Sequence, residues 1–113
     1  VVLATATSQE LLMPALHRFN MDQCFDFIQT CDGVGLEKSD TAFYDTLAHR
    51  LNASPGEIIL VDDAHYALAA AKKAGLYVVA VKDTYNLPYR DAIVKESDEL
   101  LDSLLDFEPE RYF

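Results

Sequence analysis

The chain alternates short apolar runs of strand length with stretches that carry a helical pattern. The runs are Val1–Ala4, Phe25–Ile28, Ile58–Val61 and Leu76–Val81. This succession is typical of βα units, in which each helix returns the chain to the start of the next parallel strand. Ile58–Val61 is apolar without alternation, as expected for a strand covered by helices on both faces. The pattern therefore predicts an α/β fold with a parallel sheet.

Residues that favour helix ends bound the predicted helices. Thr7 and Glu10 have the spacing of a capping box, which predicts a helix that begins after Thr7. Pro14 lies inside that helix and lacks a backbone N–H, so we expect a late start or a kink. Asp40 is a suitable N-cap for a second helix, and Asn52 can supply its left-handed exit.

The last part of the chain carries weaker signals. An alanine-rich helix follows Asp63 and ends at Gly75. Ala92–Val94 is predicted as a short last strand. The acidic tail that follows interleaves carboxylates with leucines, a pattern that favours an amphipathic C-terminal helix.

Composition limits the classes of partner. The 113 residues fit one domain, and half of them are hydrophobic. A net charge of −10 with only nine basic residues argues against nucleic acid and against a membrane surface. No apolar run approaches the roughly 20 residues of a membrane span. Cys24 and Cys31 form no disulfide framework, so we expect a reducing, cytoplasmic location.

Adjacent carboxylates follow the Ile58–Val61 run. Asp62 and Asp63 repel each other unless a cation holds them, and hard oxygen ligands suit Mg²⁺. A purely structural alternative has one of them cap the helix that begins near His65 while the other faces water. The sequence favours the metal site.

Two other positions supply groups that bind phosphate. Lys38 precedes the Asp40 cap; alone it would be a solvated charge, but a phosphate beside carboxylates needs a cation. Thr5 ends the first run, and the N–H of Ala6 lies at a helix entrance where anions bind. The alternative is that Thr5 only completes a turn.

These positions should converge, because ligands bind outside the carboxyl ends of parallel strands. A hydroxyl, a lysine and paired acids are the groups needed to bind a phosphoryl group and stabilise its transfer. No nucleophile is evident in the sequence.

The order of these motifs resembles the haloacid dehalogenase superfamily, in its capped phosphatase branch, from Val1 to about Val81. "VVLATATS" resembles the second motif, with Thr5 as the phosphate-binding hydroxyl, and "GLEKSDTAFYDTLAHRL" resembles the third, with Lys38. "EIILVDDAHYALAAAKKAGLYVVAV" resembles the fourth, with Asp62 and Asp63 at the metal. The resemblance implies a Rossmann-like three-layer αβα sandwich. Ser39 departs from the proline that the family often has.

The resemblance also implies an earlier strand that ends in a DxD motif, which this chain lacks. We therefore interpret residues 1–113 as the C-terminal portion of a core domain whose nucleophile strand and cap lie elsewhere in a parent chain. The missing strand would lie between Val1–Ala4 and Ile58–Val61. The 113 residues alone are then expected to be inactive and poorly stable.

For the parent, the resemblance implies a Mg²⁺-dependent phosphatase that acts on a small phosphorylated metabolite through an aspartyl-phosphate. Asp63 would contact the metal, while Asp62 orients the metal's water or Lys38. Thr5 and the Ala6 N–H would hold phosphate oxygens, and Lys38 would offset their charge.

Other functions remain open at this point. Within the superfamily they are a phosphomutase resembling β-phosphoglucomutase, a haloacid dehalogenase and a degenerate structural member. Outside it, "ILVDDA" also resembles the acidic pair of a phospho-receiver domain, although the order of motifs differs there.

Overall fold

The computed structural model describes every residue from Val1 to Phe113 and shows the expected α/β architecture. The strands are β1 (Val2–Thr5), β2 (Phe27–Thr30), β3 (Ile59–Asp62), β4 (Tyr77–Val81) and β5 (Glu99–Leu101). The α-helices are α1 (Gln9–Arg18), α2 (Cys31–Val34), α3 (Thr41–Leu51), α4 (His65–Lys73) and α5 (Arg90–Glu96). Short 3₁₀ turns lie at Pro55–Glu57, Leu87–Tyr89, Leu104–Asp106 and Pro109–Arg111.

All strand pairs are parallel, which confirms the predicted sheet type. The strands form two hydrogen-bonded groups: β1 pairs with β2, and β4 lies between β3 and β5. No strand of the chain lies between β1 and β3. Each of these two strands therefore has an edge without a backbone partner within residues 1–113.

The core lies where α3 and α4 pack beside β3 and β4. Phe43 and Tyr44 of α3 are fully buried, and their rings meet edge to face with centroids 5.2 Å apart. Ala67, Ala70 and Ala71 line the buried face of α4. Their small side chains let this helix approach the sheet closely, because no long side chain separates the two backbones.

The second helix begins and ends as predicted, whereas the first has a different N-cap residue. The Asp40 carboxylate accepts a hydrogen bond from the Ala42 N–H at 2.9 Å, and Asn52 ends α3 with φ of 51°. The capping box at Thr7 is absent, and Ser8 is the N-cap residue of α1. The Thr7 N–H donates instead to Oγ1 of Thr5, a local bond that competes with helix capping.

The helix containing Pro14 does not start late. It begins at Gln9 and continues through the proline to Arg18. The second strand lies two residues later than predicted, at Phe27–Thr30, because Gln29 and Thr30 are buried despite being polar. The Gln29 amide donates to the Phe43 carbonyl at 2.8 Å, so the core accommodates it.

The prediction for the C-terminal region is wrong. Ala92–Val94 belongs to α5, and the last strand is Glu99–Leu101. The tail forms this strand and 3₁₀ turns rather than an amphipathic helix, because its acids bond to other elements. Asp98 pairs with Lys72 and accepts from the Val78 N–H at 2.8 Å.

Two further findings concern the chain as a whole. None of its helices combines the length and hydropathy that a membrane crossing requires. Cys24 is exposed, Cys31 is buried, and both are free thiols.

Gly75 should tolerate a larger side chain poorly. Its φ is +95°, and an added Cβ would lie 3.3 Å from Cβ of Pro55. In the protein expressed from its complete reading frame, Gly75→Ala should lower the free energy of unfolding by about 1–3 kcal/mol. Gly56→Ala is the control, because it meets no atom within 4 Å, and should change it by less than about 0.5 kcal/mol. Urea unfolding measures both; equal effects would contradict the prediction.

Candidate active site

A cavity of about 360 Å³ opens at the carboxyl ends of the strands. Its lining includes Ala4 of β1, Lys38, the end of β3 with Asp62 and Asp63, and Lys82 and Asp83 after β4. A larger cavity of about 820 Å³ lies between the start of α3 and α4 and contains none of the predicted site residues. Lys38, Asp62 and Asp63 therefore line the smaller cavity, at the edge of a parallel sheet where ligands are expected to bind.

Lys38 and Asp62 form a nearly buried ion pair. Nζ of Lys38 lies 2.6 Å from Oδ2 of Asp62, and the two side chains are 11% and 9% exposed. Oδ1 of Asp62 accepts from the backbone N–H groups of Asp63 at 2.7 Å and Ala64 at 3.1 Å. Both oxygens of Asp62 are thus engaged within the protein, and this carboxylate holds the lysine in place.

Tyr44 fixes the backbone from which Lys38 projects. Its hydroxyl donates to the Lys38 carbonyl at 2.8 Å, and the tyrosine is fully buried. Burial, reinforced by the charge of Asp62, raises the pKa of Tyr44. The phenol therefore remains a donor at physiological pH. Together with the Asp40 cap, this contact fixes the loop that enters α3.

Asp63 and Asp83 follow the neighbouring strands β3 and β4, and both line the cavity. The hydrogen bond with Asp83 is the main influence that raises the pKa of Asp63 to about 6, and partial burial and Asp62 act in the same direction. The same bond lowers the pKa of Asp83. Below about pH 6 the Asp63 carboxyl therefore keeps its proton and can donate it to the Asp83 carboxylate. Carboxylates placed this close attract a cation in place of the proton.

Thr5 and Ala6 stand at the end of β1, next to the cavity-lining Ala4 but outside the lining itself. Oγ1 of Thr5 accepts from the Thr7 N–H at 3.1 Å, so the hydroxyl closes a turn, as the structural alternative expects. That hydroxyl still has its own proton to donate. The phosphate-binding role of Thr5 and Ala6 stays a prediction.

Asp83, Tyr44 and Asn86 were missed in the sequence. Asp83 follows β4 by two residues, so the strand-end rule that selected Asp62 could have selected it. For Tyr44, nothing in the sequence indicates that its hydroxyl reaches a main-chain carbonyl. Asn86, a buried residue after β4, gave no signal beyond turn propensity.

The chemistry of the donors is suitable for Mg²⁺. No group of three or more His, Cys, Asp or Glu side chains is arranged to hold a metal ion by itself. Mg²⁺ commonly takes only one or two carboxylates and completes its shell with water and substrate phosphate. Asp63 and Asp83 are oxygen donors of that kind, and neither is paired with a lysine or arginine.

Residues 1–81 match the model of the family described as haloacid dehalogenase-like hydrolase. The chain belongs to this family. The match covers the same stretch as the three motifs and confirms the resemblance.

Similar proteins within the family include phosphatases. Validoxylamine A 7'-phosphate phosphatase from Streptomyces hygroscopicus subsp. limoneus is 29% identical over 87% of the chain and 47% of its own length. A phosphorylated carbohydrates phosphatase from Thermotoga maritima is 32% identical over 67% of the chain and 35% of its own length.

Among solved structures, CbbY from Rhodobacter sphaeroides in complex with phosphate superposes with a TM-score of 0.77 at 28% identity. That match covers 90% of this chain and 45% of CbbY. The chain thus spans under half the length of each of these relatives. Its fold is the Rossmann-like α/β fold of haloacid dehalogenase-like hydrolases.

Tyr44→Phe tests whether the phenol holds the Lys38 loop. The substitution leaves the Lys38 carbonyl without its buried donor, so the free energy of unfolding should fall by about 1–2 kcal/mol. Tyr85→Phe is the matched control, because Tyr85 is 89% exposed. Chemical denaturation measures both. Equal stability of Tyr44→Phe and the wild type would show that this hydrogen bond does not hold the loop.

The shared proton predicts a pH dependence of stability in metal-free buffer. Since folding raises the pKa of Asp63 from 3.8 to about 6, its contribution is fully present below pH 3.8 and is lost as pH rises through about 6. An asparagine amide cannot ionise, so the Asp63→Asn variant should gain stability relative to the wild type between about pH 4 and 6 and then level off.

Urea unfolding with EDTA at several pH values measures this difference, and Asp45→Asn, an exposed site on α3, is the control. Parallel pH profiles for Asp63→Asn and the wild type would rule out the shared proton.

Proposed function

We propose that this chain supplies the phosphate- and magnesium-binding part of a phosphoric monoester hydrolase. The observation that carries the proposal is the Lys38–Asp62 ion pair of 2.6 Å, which holds an ammonium group beside Asp63 in the strand-end cavity. The family match and the phosphatases among the relatives support the same reaction class. Because the chain spans only part of these relatives, the nucleophile is assigned to a segment outside residues 1–113.

Within this proposal Asp63 is the principal metal-binding residue, and Asp62 keeps the role of orienting Lys38. Asp83 is close enough to Asp63 to share a proton with it, so it adds a second oxygen donor. When bound, Mg²⁺ would supply positive charge to the phosphoryl oxygens. The assignment of Asp62 as a second direct ligand is disfavoured, because both of its oxygens already accept from protein donors.

The reaction is proposed as two phosphoryl transfers. A carboxylate from a DxD segment attacks phosphorus and the P–O bond to the substrate alcohol breaks, while the second carboxyl of that segment donates a proton to the leaving alcohol. The same group then takes a proton from the attacking water of the second step. Water then attacks the aspartyl-phosphate and releases inorganic phosphate, which regenerates the carboxylate. Through both steps Lys38 balances the negative charge on the phosphoryl oxygens, and Thr5 and the Ala6 N–H offer them hydrogen bonds.

The substrate is proposed to be a small phosphorylated metabolite, in keeping with the sugar-like phosphates named for the relatives. The net charge of −10 disfavours long polyanions, because they would meet repulsion over most of the surface. A cytoplasmic location is part of the same proposal.

A phosphomutase is the second candidate, because it uses the same binding residues and differs in the acceptor of the second transfer. A dehalogenase fits less well, since its reaction has no phosphoryl group whose charge Lys38 would balance. The family match also favours a hydrolase over a phospho-receiver domain.

Lys38→Ala and Asp63→Asn should each lower kcat for a generic aryl phosphate by about 10²–10³-fold or more in the protein expressed from its complete reading frame. Lys95→Ala, which removes an exposed lysine from α5, should leave kcat unchanged. The assay measures aryl alcohol release against Mg²⁺ concentration. The isolated 113 residues should show no turnover.

Lys38→Ala also leaves Asp62 as an uncompensated, nearly buried charge, which destabilises the fold. The double variant Lys38→Met with Asp62→Asn removes both charges and should be as inactive as the single variant, although more stable. Near-normal turnover in the double variant would remove the lysine from the mechanism.

A further inference from the structure

Asn86 is a buried polar residue next to the proposed metal site. It follows β4, lies in the turn that leads to α5, and is only 7% exposed. Burial of an amide without partners costs free energy, so its hydrogen bonds indicate what it does. They all go to the segments that carry Asp63 and Asp83.

The first set of bonds closes a turn around Asp83. The Asp83 N–H donates to Oδ1 of Asn86 at 3.0 Å, and the Asn86 N–H donates to Oδ1 of Asp83 at 2.7 Å. This reciprocal pair engages one carboxylate oxygen of Asp83 and fixes the direction of its side chain.

The second set crosses to the neighbouring loop. Nδ2 of Asn86 donates to the Asp63 carbonyl at 2.9 Å and to the Val81 carbonyl at 2.8 Å. Both amide protons are therefore used, one on the loop that follows β3 and one on the last residue of β4. Among natural side chains only an amide both donates twice and accepts at this reach, and Gln is one methylene longer.

An aromatic contact joins the same two loops beside this amide. The ring of His65, the first residue of α4, stacks on Tyr89 with centroids 3.9 Å apart and planes 11° apart. The Tyr89 N–H in turn donates to the Asn86 carbonyl at 2.9 Å. The turn that contains Asn86 is thus bound to the segment after Asp63 by both polar and apolar contacts.

We propose that Asn86 is a positioning residue that sets the separation of Asp63 and Asp83 and so determines the affinity of the site for Mg²⁺. The inference rests on the proposed function, because it needs Asp63 to bind the metal. Asn86 touches no reacting atom. It acts by holding two loops that no β-ladder holds, since Asp63 and Asp83 both lie beyond the ends of their strands.

The test uses the protein expressed from its complete reading frame and compares Asn86→Ala with Ile93→Val. Ile93 is a buried residue of α5 that contributes no polar group, so its variant controls for lost stability. Calorimetric titration with Mg²⁺ alone gives the affinity, and aryl phosphate turnover gives kcat at saturating Mg²⁺. Asn86→Ala should weaken Mg²⁺ binding by about 10–100-fold, because substitution of a residue that orients metal ligands commonly has an effect of that size. At saturating Mg²⁺ its kcat should equal that of the wild type.

Tyr89→Ala provides a second variant in case Asn86→Ala does not fold. It breaks the stack on His65 and leaves no buried amide unpaired, and it should weaken Mg²⁺ binding in the same direction by a smaller factor. The Mg²⁺-induced rise in melting temperature provides a further readout, which should shrink in parallel with the affinity.

The outcomes separate the two claims. Normal Mg²⁺ affinity in Asn86→Ala, or a loss no larger than in Ile93→Val, would overturn the positioning role while leaving the proposed function intact. A wild-type protein that neither binds Mg²⁺ nor needs it for turnover would overturn both. Weaker binding in both Asn86→Ala and Tyr89→Ala, with Ile93→Val unchanged, supports the positioning role.

Discussion

The ion pair between Lys38 and Asp62 joins the loop that enters α3 to the end of β3. A charge pair at this level of burial is stable only when each partner is fully satisfied, because desolvation of a lone charge is costly. The protein meets this requirement locally: two backbone N–H groups complete the shell of Asp62, and Tyr44 holds the main chain of Lys38. The rest of the candidate site is arranged around this fixed pair.

Charge is distributed unevenly around that pair. Lys82, the other lysine of the cavity, is bonded to Asp102 at 2.7 Å across the neighbouring strands. Lys38 compensates Asp62, whereas Asp63 and Asp83 pair with no lysine or arginine. The cavity is therefore lined by one compensated ion pair, Lys38 with Asp62, and by two carboxylates that a cation could neutralise.

The sequence was most informative where local signals and burial agree. The run Ile58–Val61 predicts β3 to within one residue, because a strand buried on both faces is apolar throughout. Asp40 and Asn52 predict both ends of α3, because helix ends favour particular residue types. Ala92–Val94 was misassigned because a three-residue apolar run has no periodicity that separates a helix from a strand. In α5 Ile93 is buried, whereas Val94 is 54% exposed.

Long-range polar bonds account for most of the differences between the predicted and the observed structure. The acids of the tail looked like a solvated helix face, but Asp98 and Glu99 bond to α4 and β4. Asn86 bonds to a carbonyl 23 positions away in the chain, and no local pattern encodes such a partner. Strand-end rules and motif order thus sufficed to select Lys38, Asp62 and Asp63. The residues that hold them in place could be identified only from the three-dimensional structure.

The division of the strands into two groups determines how the site is held together. Thr5 belongs to the β1–β2 group and Asp62 to the group of β3, β4 and β5, and no backbone ladder links them. The distance between the hydroxyl and the carboxylate therefore follows from side-chain packing, which deforms more easily than a continuous sheet. Within these residues the two halves of the phosphate site are joined by packing rather than by a β-ladder, so any element that bridges β1 and β3 would set their spacing and their rigidity together.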